Sequence, residues 1–325
     1  MITIIIPAYN AEATVIKAVE SCLESGCIAK VIVVADAPTD KTIEQLTDTS
    51  YSRDIVEVIE LENNLGAGAC RNIGIEKVNT SHVAFLDADD TINAEKFEAV
   101  FNNMAADCEL AVAGYKYCKC NHEIDTSTMT PSDERIFRTI LKSQESITLE
   151  GRDTAELLML VNYPWNKLYR TDFIRKNNIR FQSLPVHNDI LFHWSCLLQA
   201  NKVLVHHATM TNHFVFDNRS QMTNDTSDRR LFVFDALQAA KEIVFTGNRN
   251  AVPHFYQFLQ VILPWALEKI DRQHIAEFVE QLQILLKDFT IREFNLVYPE
   301  RPMVACNMMI LKNDPWKITQ PNFKL

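Results

Sequence analysis

A surplus of positive charge is absent from this sequence. The formal net charge is -10 and the pI about 5.4, so the composition carries no basic footprint for nucleic acid. The chain also lacks any run approaching the roughly 20 apolar residues that span a bilayer. Residues 1–6 carry no basic segment and lead into Pro7, so we interpret them as a first strand and not as a signal peptide.

Paired Cys-x-x-Cys motifs are absent too. The eight cysteines form no tight framework along 325 residues, which predicts reduced thiols in a cytoplasmic protein. Cys118, Cys120 and His122 lie close enough in sequence to suggest a zinc site. Strand alternation explains the two cysteines more simply, so we do not expect zinc there.

The usual nucleotide fingerprints are missing as well. Gly66-Ala67-Gly68 is followed by Arg71 where a dinucleotide loop needs a third glycine, and no Walker-type Gly-Lys-Ser/Thr occurs. A nucleotide, if one binds, must be held in another way.

What the chain does contain is an alternation of strand and helix patterns. With 47% hydrophobic and 23% charged residues, the composition is that of an ordinary globular protein. Apolar runs predict strands at 2–6, 30–34, 55–61 and 83–86, with helical patterns between them. This spacing predicts an α/β fold with a mostly parallel sheet flanked by helices.

An acidic cluster follows the fourth predicted strand. Asp87, Asp89 and Asp90 fall within four positions, where their mutual repulsion is costly unless a cation is bound. Carboxylates suit Mg²⁺ or Mn²⁺. The alternative is an acidic turn that caps the helix starting near Asn93.

In parallel sheets, ligands bind beyond the carboxyl ends of the strands. That rule predicts that Tyr9, Asp36, Asn63 and the acidic cluster share one rim of the sheet.

Four motifs in order make a resemblance specific. They are Ile5-Ile6-Pro7-Ala8-Tyr9-Asn10, Asp36 with Thr39-Asp40, Asn64-Leu65-Gly66 with Ala69-Cys70-Arg71-Asn72-Ile73-Gly74, and Phe85-Leu86-Asp87-Ala88-Asp89-Asp90. Their order and spacing resemble glycosyltransferase family 2, the inverting enzymes of GT-A fold, over roughly residues 1–215. The resemblance implies a nucleotide-diphosphate sugar, most often a UDP-sugar, and Mn²⁺ or Mg²⁺ at the Asp-x-Asp site.

The resemblance also implies roles for individual residues. Asp87 would contact the ribose and Asp89 would ligate the metal. The remaining nucleotide-sugar-binding residues would be Pro7, Tyr9 and Asp36 around the base, with Asn63, Asn64, Arg71 and Ala88 completing the pocket. Other interpretations stay open, because Tyr9 could be a core aromatic, Asp36 a helix cap and Arg71 a solvated helix charge. Ala35 departs from the family, which often has a first acidic residue there.

Two later segments extend the resemblance. Residues 162–170 are similar to a Trp-Asn-Lys-Leu-Tyr segment of family members that build bacterial surface polysaccharides, which implies acceptor contacts by Trp165, Asn166 and Lys167. Trp165 follows a proline, and an aromatic in that position is at least as often a core residue. The Asp of the family's Glu-Asp-x-x-Phe motif is the general base, and Asp189 matches it, although Asn188 replaces the Glu. Asp189 could instead simply cap the helix that follows.

The resemblance further suggests His213 as an added metal ligand and Arg219 as a contact to the diphosphate. The alternative for His213 is a polar residue whose hydrogen bonds are simply satisfied. From residue 227 the pattern becomes helical, which predicts a catalytic domain at 1–226 and a helical C-terminal module at 227–325. Residues 120–150 read as a polar loop, and residues 299–325 as an irregular tail.

The resemblance implies an inverting, metal-dependent transferase that moves a hexosyl or N-acetylhexosaminyl group from a UDP-sugar to a glycan or lipid-linked acceptor, in bacterial cell-surface polysaccharide synthesis. We expect it in the cytoplasm, with peripheral membrane association and self-association through the C-terminal module as further options. The alternatives are a sugar nucleotidyltransferase and a family member that binds nucleotide-sugar without turnover.

Overall fold

The structure is a computed structural model that describes residues 1–47, 51–52, 54–119, 129–215, 226–247, 249–323 and 325. It divides into two compact units. The first comprises Met1–Ser183 with Gln199–Asn218, and the second comprises Leu184–Leu198 with Arg219–Leu325. The sequence placed Asp189 in the first of two consecutive domains, whereas here it belongs to the second unit.

The first unit is built on one mixed sheet of nine strands within the described ranges. The strands are β1 Ile2–Ala8, β2 Ile28–Ala35, β3 Val56–Glu60, β4 His82–Phe85, β5 Thr91–Ile92, β6 Leu110–Lys119, β7 Ser146–Glu150, β8 Lys167–Arg170 and β9 Lys202–Val215. The sheet order is β3-β2-β1-β4-β8-β6-β9-β5, and β7 also pairs with β9. β1 to β4 are parallel as predicted, while β8 inserts antiparallel between β4 and β6.

Both faces of the parallel strands are buried, which explains their nearly continuous apolar sequences. Ile4 and Ile6 of β1 point into the main core, whereas Ile32 and Val34 of β2 pack with Cys70 on a second core. The helices of this unit are α1 Val15–Leu23, α2 Thr42–Thr47, α3 Ala67–Lys77, α4 Ala94–Asn103, α5 Pro131–Leu141 and α6 Thr171–Lys176. The predicted α/β fold with flanking helices is confirmed.

One segment predicted as a loop is regular. Residues 131–141 form α5 and residues 146–150 form β7, while residues 120–128 of that prediction lie outside the described residues. α5 begins with Pro131 directly after Thr130, whose side chain accepts a hydrogen bond from Asp133 N. Proline at the first helical position after a threonine cap is a helix-start signal that the polar composition obscured.

The second unit is helical within its described residues. Its helices are α7 Ile190–Gln199, α8 Phe232–Thr246, α9 Val252–Lys269, α10 Ile275–Leu286, α11 Ile291–Val297 and α12 Pro302–Asn313. The last residue of α7, Gln199, is assigned to the first unit. The prediction of an irregular tail is wrong for residues 302–313, where Val304, Met308 and Leu311 form the buried face of α12. No helix in the described ranges has the length and hydropathy that crossing a membrane requires.

Candidate active site

The carboxyl ends of the three central parallel strands form the candidate site. β1 ends at Ala8, which pairs with Ala35 at the end of β2, and Asp36 N donates to Ala8 O at 2.8 Å. Leu86, which follows β4, donates its N–H to Ile5 O at 3.1 Å. Parallel neighbours end at the same edge of a sheet, so Tyr9, Asp36 and Asp87 lie on one rim.

Tyr9 is the exposed aromatic of this rim. Its side chain is 52% exposed, so it is not a core residue, and a flat apolar ring is available to stack on a base. Pro7 is half-buried within β1. The loop after Tyr9 is held by Asn10, whose Oδ1 accepts a hydrogen bond from Thr39 N at 2.8 Å.

Asp36 organises the loop that precedes α3. Its buried carboxylate accepts hydrogen bonds from Leu65 N at 2.7 Å and Gly66 N at 2.8 Å, and its carbonyl accepts from Asn64 Nδ2 at 3.2 Å. The donors lie in the loop before Ala67, where α3 begins, so the helix-cap interpretation of Asp36 does not describe these bonds. Each carboxylate oxygen can accept more than one hydrogen bond, so a contact to a base stays a prediction. Asn63 is exposed in the same loop.

Arg71 and Asp87 contact each other. Arg71 lies on α3 and is 5% exposed, and its Nη2 donates to Asp87 Oδ1 at 2.6 Å. The guanidinium also lies 5.2 Å from the ring centroid of Phe181. Arg71 is therefore not a solvated helix charge, because both its charge and its planar face have partners.

The acidic cluster divides its side chains by burial. Asp90 and Ala88 are buried, whereas Asp87 and Asp89 are partly exposed at the rim. A turn closes the cluster, since Asp90 N donates to Asp87 O at 3.0 Å. With its methyl group buried, Ala88 can offer a nucleotide only its backbone.

Asp90 is bonded to His213 of β9. Nδ1 of His213 lies 3.0 Å and 2.9 Å from the two Asp90 carboxylate oxygens, and Phe214 N donates to Oδ1 at 2.8 Å. Burial raises the pKa of Asp90 to about 7, against the lowering effect of His213. Burial alone would lower the pKa of His213, but its hydrogen bond to Asp90 and the charges of Asp90, Asp87 and Asp89 raise it above its ordinary value.

The residues present fit a divalent cation shared with a substrate better than a cage made by the protein alone. No group of three histidine, cysteine or acidic side chains is arranged to hold a metal in the described part of the chain. Magnesium-type sites often use one or two protein ligands and complete their shell with phosphate oxygens and water. Asp89 and His213 could supply such a pair.

The three residues predicted to contact an acceptor are buried. Trp165, Asn166 and Lys167 expose at most 1% of their surface, so an acceptor contact does not fit their positions. Lys167 Nζ instead donates to Tyr163 O and Asn166 Oδ1, both at 2.6 Å. Trp165 stacks on Tyr163 at 4.6 Å and on His213 at 5.1 Å between ring centroids. These residues therefore pack against side chains of the site, as Trp165 does on His213.

Asp189 lies at the start of α7. Its carbonyl accepts the helical hydrogen bond from His193 N at 2.9 Å, and Asn188 Nδ2 donates to Leu184 O at 3.5 Å. His187 adopts a left-handed backbone, with φ of 59°. The position of Asp189 directly before α7 agrees with the alternative helix cap, and its role as the base stays a prediction. Arg219 lies outside the described residues.

Sequence reasoning missed two members of the site. Phe181 packs on Arg71, and Tyr163 stacks on Trp165, with its hydroxyl 2.9 Å from Tyr117 Oη. Both lie far from the acidic cluster in sequence, and although Tyr163 falls within residues 162–170, that resemblance gave it no role. Only their position in the folded chain reveals the contacts.

The mixed sheet, with an acidic cluster after its central strand, defines the class of GT-A-type transferase domains. The chain belongs to glycosyl transferase family 2, whose sequence profile matches residues 3–177.

Known proteins agree with this assignment. An uncharacterized glycosyltransferase of Haemophilus influenzae is 32% identical over 161 residues, which are 46% of this chain and 64% of that protein. The succinoglycan biosynthesis protein ExoO of Rhizobium meliloti is 33% identical over 113 residues, covering 34% of this chain and 32% of that protein. The chain thus spans less than two thirds of the length of either relative.

The fold also matches a solved structure. Residues 1–349 of TarS from S. aureus, in complex with UDP-GlcNAc, superpose with a TM-score of 0.72 over 98% of this chain and 90% of that one. The sequences are 18% identical, so the likeness establishes a shared fold.

Proposed function

We propose that this protein is an inverting glycosyltransferase that moves a hexosyl or N-acetylhexosaminyl group from a UDP-sugar to a glycan or lipid-linked acceptor in bacterial surface-polysaccharide synthesis. The observation that carries the proposal is the convergence of Tyr9, Asp36 and the acidic cluster on one rim of a family 2 domain. The TarS complex with UDP-GlcNAc and the ExoO relative support the donor and the pathway class.

The chain's residues divide the work in this proposal. Tyr9 stacks on the base, and Asp87, oriented by Arg71, binds the ribose. Asp89 and His213 would hold Mn²⁺ or Mg²⁺, which would supply positive charge to neutralise the diphosphate leaving group. Asp189 accepts the proton of the acceptor hydroxyl as the new glycosidic bond forms at the anomeric carbon.

A substitution pair tests the roles of the two aspartates. We expect Asp89→Ala to abolish the metal-dependent part of UDP binding, and Asp189→Ala to leave UDP binding intact while transfer stops. Calorimetric titration with UDP, with and without Mn²⁺, and UDP release from a panel of UDP-sugars measure the two effects. The reverse pattern would overturn the assignment.

Asp107→Ala is the matched control. This exposed carboxylate precedes β6, at the opposite edge of the sheet, and contacts Lys202 at 2.6 Å. Its removal should change neither binding nor transfer. Failure of the wild-type protein to bind any uridine nucleotide would refute the proposal, and release of pyrophosphate from a nucleoside triphosphate plus sugar phosphate would identify a nucleotidyltransferase instead.

A further inference from the structure

Within the acidic cluster, the proposed function assigns a role to Asp87 and Asp89 but none to Asp90. Its side chain has no exposed surface, and it lies behind the rim on which Asp87 and Asp89 are partly exposed. Its oxygens meet the Nδ1 of His213 at 2.9 and 3.0 Å and the amide of Phe214 at 2.8 Å. An ionised carboxylate only accepts hydrogen bonds, so the Nδ1 that faces it must carry a proton.

A proton on Nδ1 decides what the other ring nitrogen can do. In a neutral imidazole with Nδ1 protonated, Nε2 carries a lone pair and can bind a cation. Nε2 of His213 makes no hydrogen bond to any residue that the structure describes, and 14% of the side chain is exposed.

The plane of the His213 ring is held as well. Trp165 stacks on it with an interplanar angle of 23°, and Tyr117 meets it edge-on at 5.3 Å between centroids. Rotation about the last side-chain bond would break both Asp90 contacts and the stack. The ring is therefore held in one orientation and one tautomer by Asp90, Trp165 and Tyr117.

We propose that Asp90 is a positioning residue: it keeps His213 protonated on Nδ1, so that Nε2 is preorganised to bind the divalent cation. The inference rests on the proposed function, because His213 is a metal ligand only there. Carboxylate groups that orient metal-binding histidines in this way typically change metal affinity about 10- to 100-fold when they are altered.

The tautomer can be read directly in metal-free protein. ¹⁵N-histidine NMR at pH 8 should show His213 protonated on Nδ1 in the wild type, because its Nδ1 faces both carboxylate oxygens of Asp90. In Asp90→Asn the side-chain amide can donate to Nδ1, so the Nε2-protonated form should appear. A wild-type His213 protonated on Nε2 would overturn the proposal without any variant.

Metal affinity provides the second readout. Mn²⁺ binding in the presence of UDP, followed by electron paramagnetic resonance, should weaken about 10- to 100-fold in Asp90→Asn. In a His213→Gln background the same substitution should cause no further loss, because Asp90 acts through His213. An equal loss in both backgrounds would show a structural effect and refute the role.

Asp133→Asn is the matched control. This buried aspartate belongs to the same aromatic cluster, since its Oδ2 accepts from Tyr115 Oη at 2.9 Å and Tyr115 lies 5.1 Å from Trp165. It does not contact His213, so Mn²⁺ affinity should stay at the wild-type value. A wild type that binds UDP but no Mn²⁺ would refute this inference and leave the donor assignment standing, whereas a wild type that binds neither would refute both.

Discussion

At the residue scale, several side chains of the rim already make hydrogen bonds within the protein in the absence of a ligand. Arg71 bonds Asp87, and Asp36 binds two backbone amides of the loop before α3. A nucleotide would meet side chains that already hold a fixed orientation. Such preorganisation lowers the entropy that binding would otherwise cost.

Ala37 gives a prediction at this scale. It follows Asp36 and has a left-handed backbone with φ of 51°, which costs an L-residue about 1–2 kcal/mol. We expect Ala37→Gly to stabilise the protein by about 0.5–1 kcal/mol, since part of the relief is offset by the greater freedom of glycine in the unfolded chain. Urea unfolding measures the change.

Ala99→Gly is the control for Ala37→Gly. Ala99 lies inside α4 with helical geometry, so glycine there should destabilise the protein by about 1 kcal/mol. Equal destabilisation at both positions would contradict the strain attributed to Ala37.

At the scale of elements, the approach of α3 to β1 positions Arg71. A Cβ added at Gly74 would lie 2.5 Å from Ile5 Cγ2, so the helix lies closer to the strand than any side chain would allow. The same helix carries Arg71 to Asp87. The absence of a side chain at Gly74, in the middle of α3, therefore permits the short distance between the helix and the sheet.

We accordingly expect Gly74→Ala to destabilise the protein by about 1–3 kcal/mol, because it overpacks this contact. Helix propensity alone predicts the opposite sign, a gain of about 1 kcal/mol. Chemical unfolding of Gly74→Ala, Ile5→Ala and the double variant tests the cause. The cost of Gly74→Ala should shrink in the Ile5→Ala background, and an unchanged cost would exclude the contact with Ile5.

At the scale of the whole molecule, each compact unit contains a histidine that burial keeps neutral. In the first unit, burial, the N-terminal amine and Arg170 lower the pKa of His82 to about 4, although Asp172 opposes them. In the second unit, burial and Arg230 lower the pKa of His187 to about 3, and the ring lies edge-on to Trp265. Both units should therefore lose stability in acid.

The sign follows from where the protons bind. The unfolded chain binds a proton at each histidine near pH 6.5, whereas the folded units resist protonation until about pH 4 and pH 3. Stability is full above pH 6.5 and falls below it, with each histidine contributing about 1.4 kcal/mol per pH unit. Urea unfolding at pH 7, 6 and 5 should show a smaller decrease in unfolding free energy for His187→Asn than for wild type, because the buried imidazole is gone. Asparagine is the replacement because it tolerates the left-handed backbone there.

His207→Asn, at an exposed histidine, controls for the loss of one imidazole. The pH dependence of its unfolding free energy is the reference against which His187→Asn is compared. If His187→Asn behaves in the same way, burial of His187 does not govern acid stability.

The sequence by itself determined the parallel strands, the acidic cluster and the family, because apolar periodicity and ordered motifs are local properties of the chain. It also predicted that Tyr9, Asp36 and Asp87 share a rim, since parallel strands place their carboxyl ends together. Only the tertiary structure decided the partners: Arg71 with Asp87, Asp90 with His213, and Trp165 in the core and not at a surface. The two pairs join residues of different segments of the chain, so a short motif cannot predict them. The burial of Trp165 depends on all the residues that pack around it, which a short motif does not specify either.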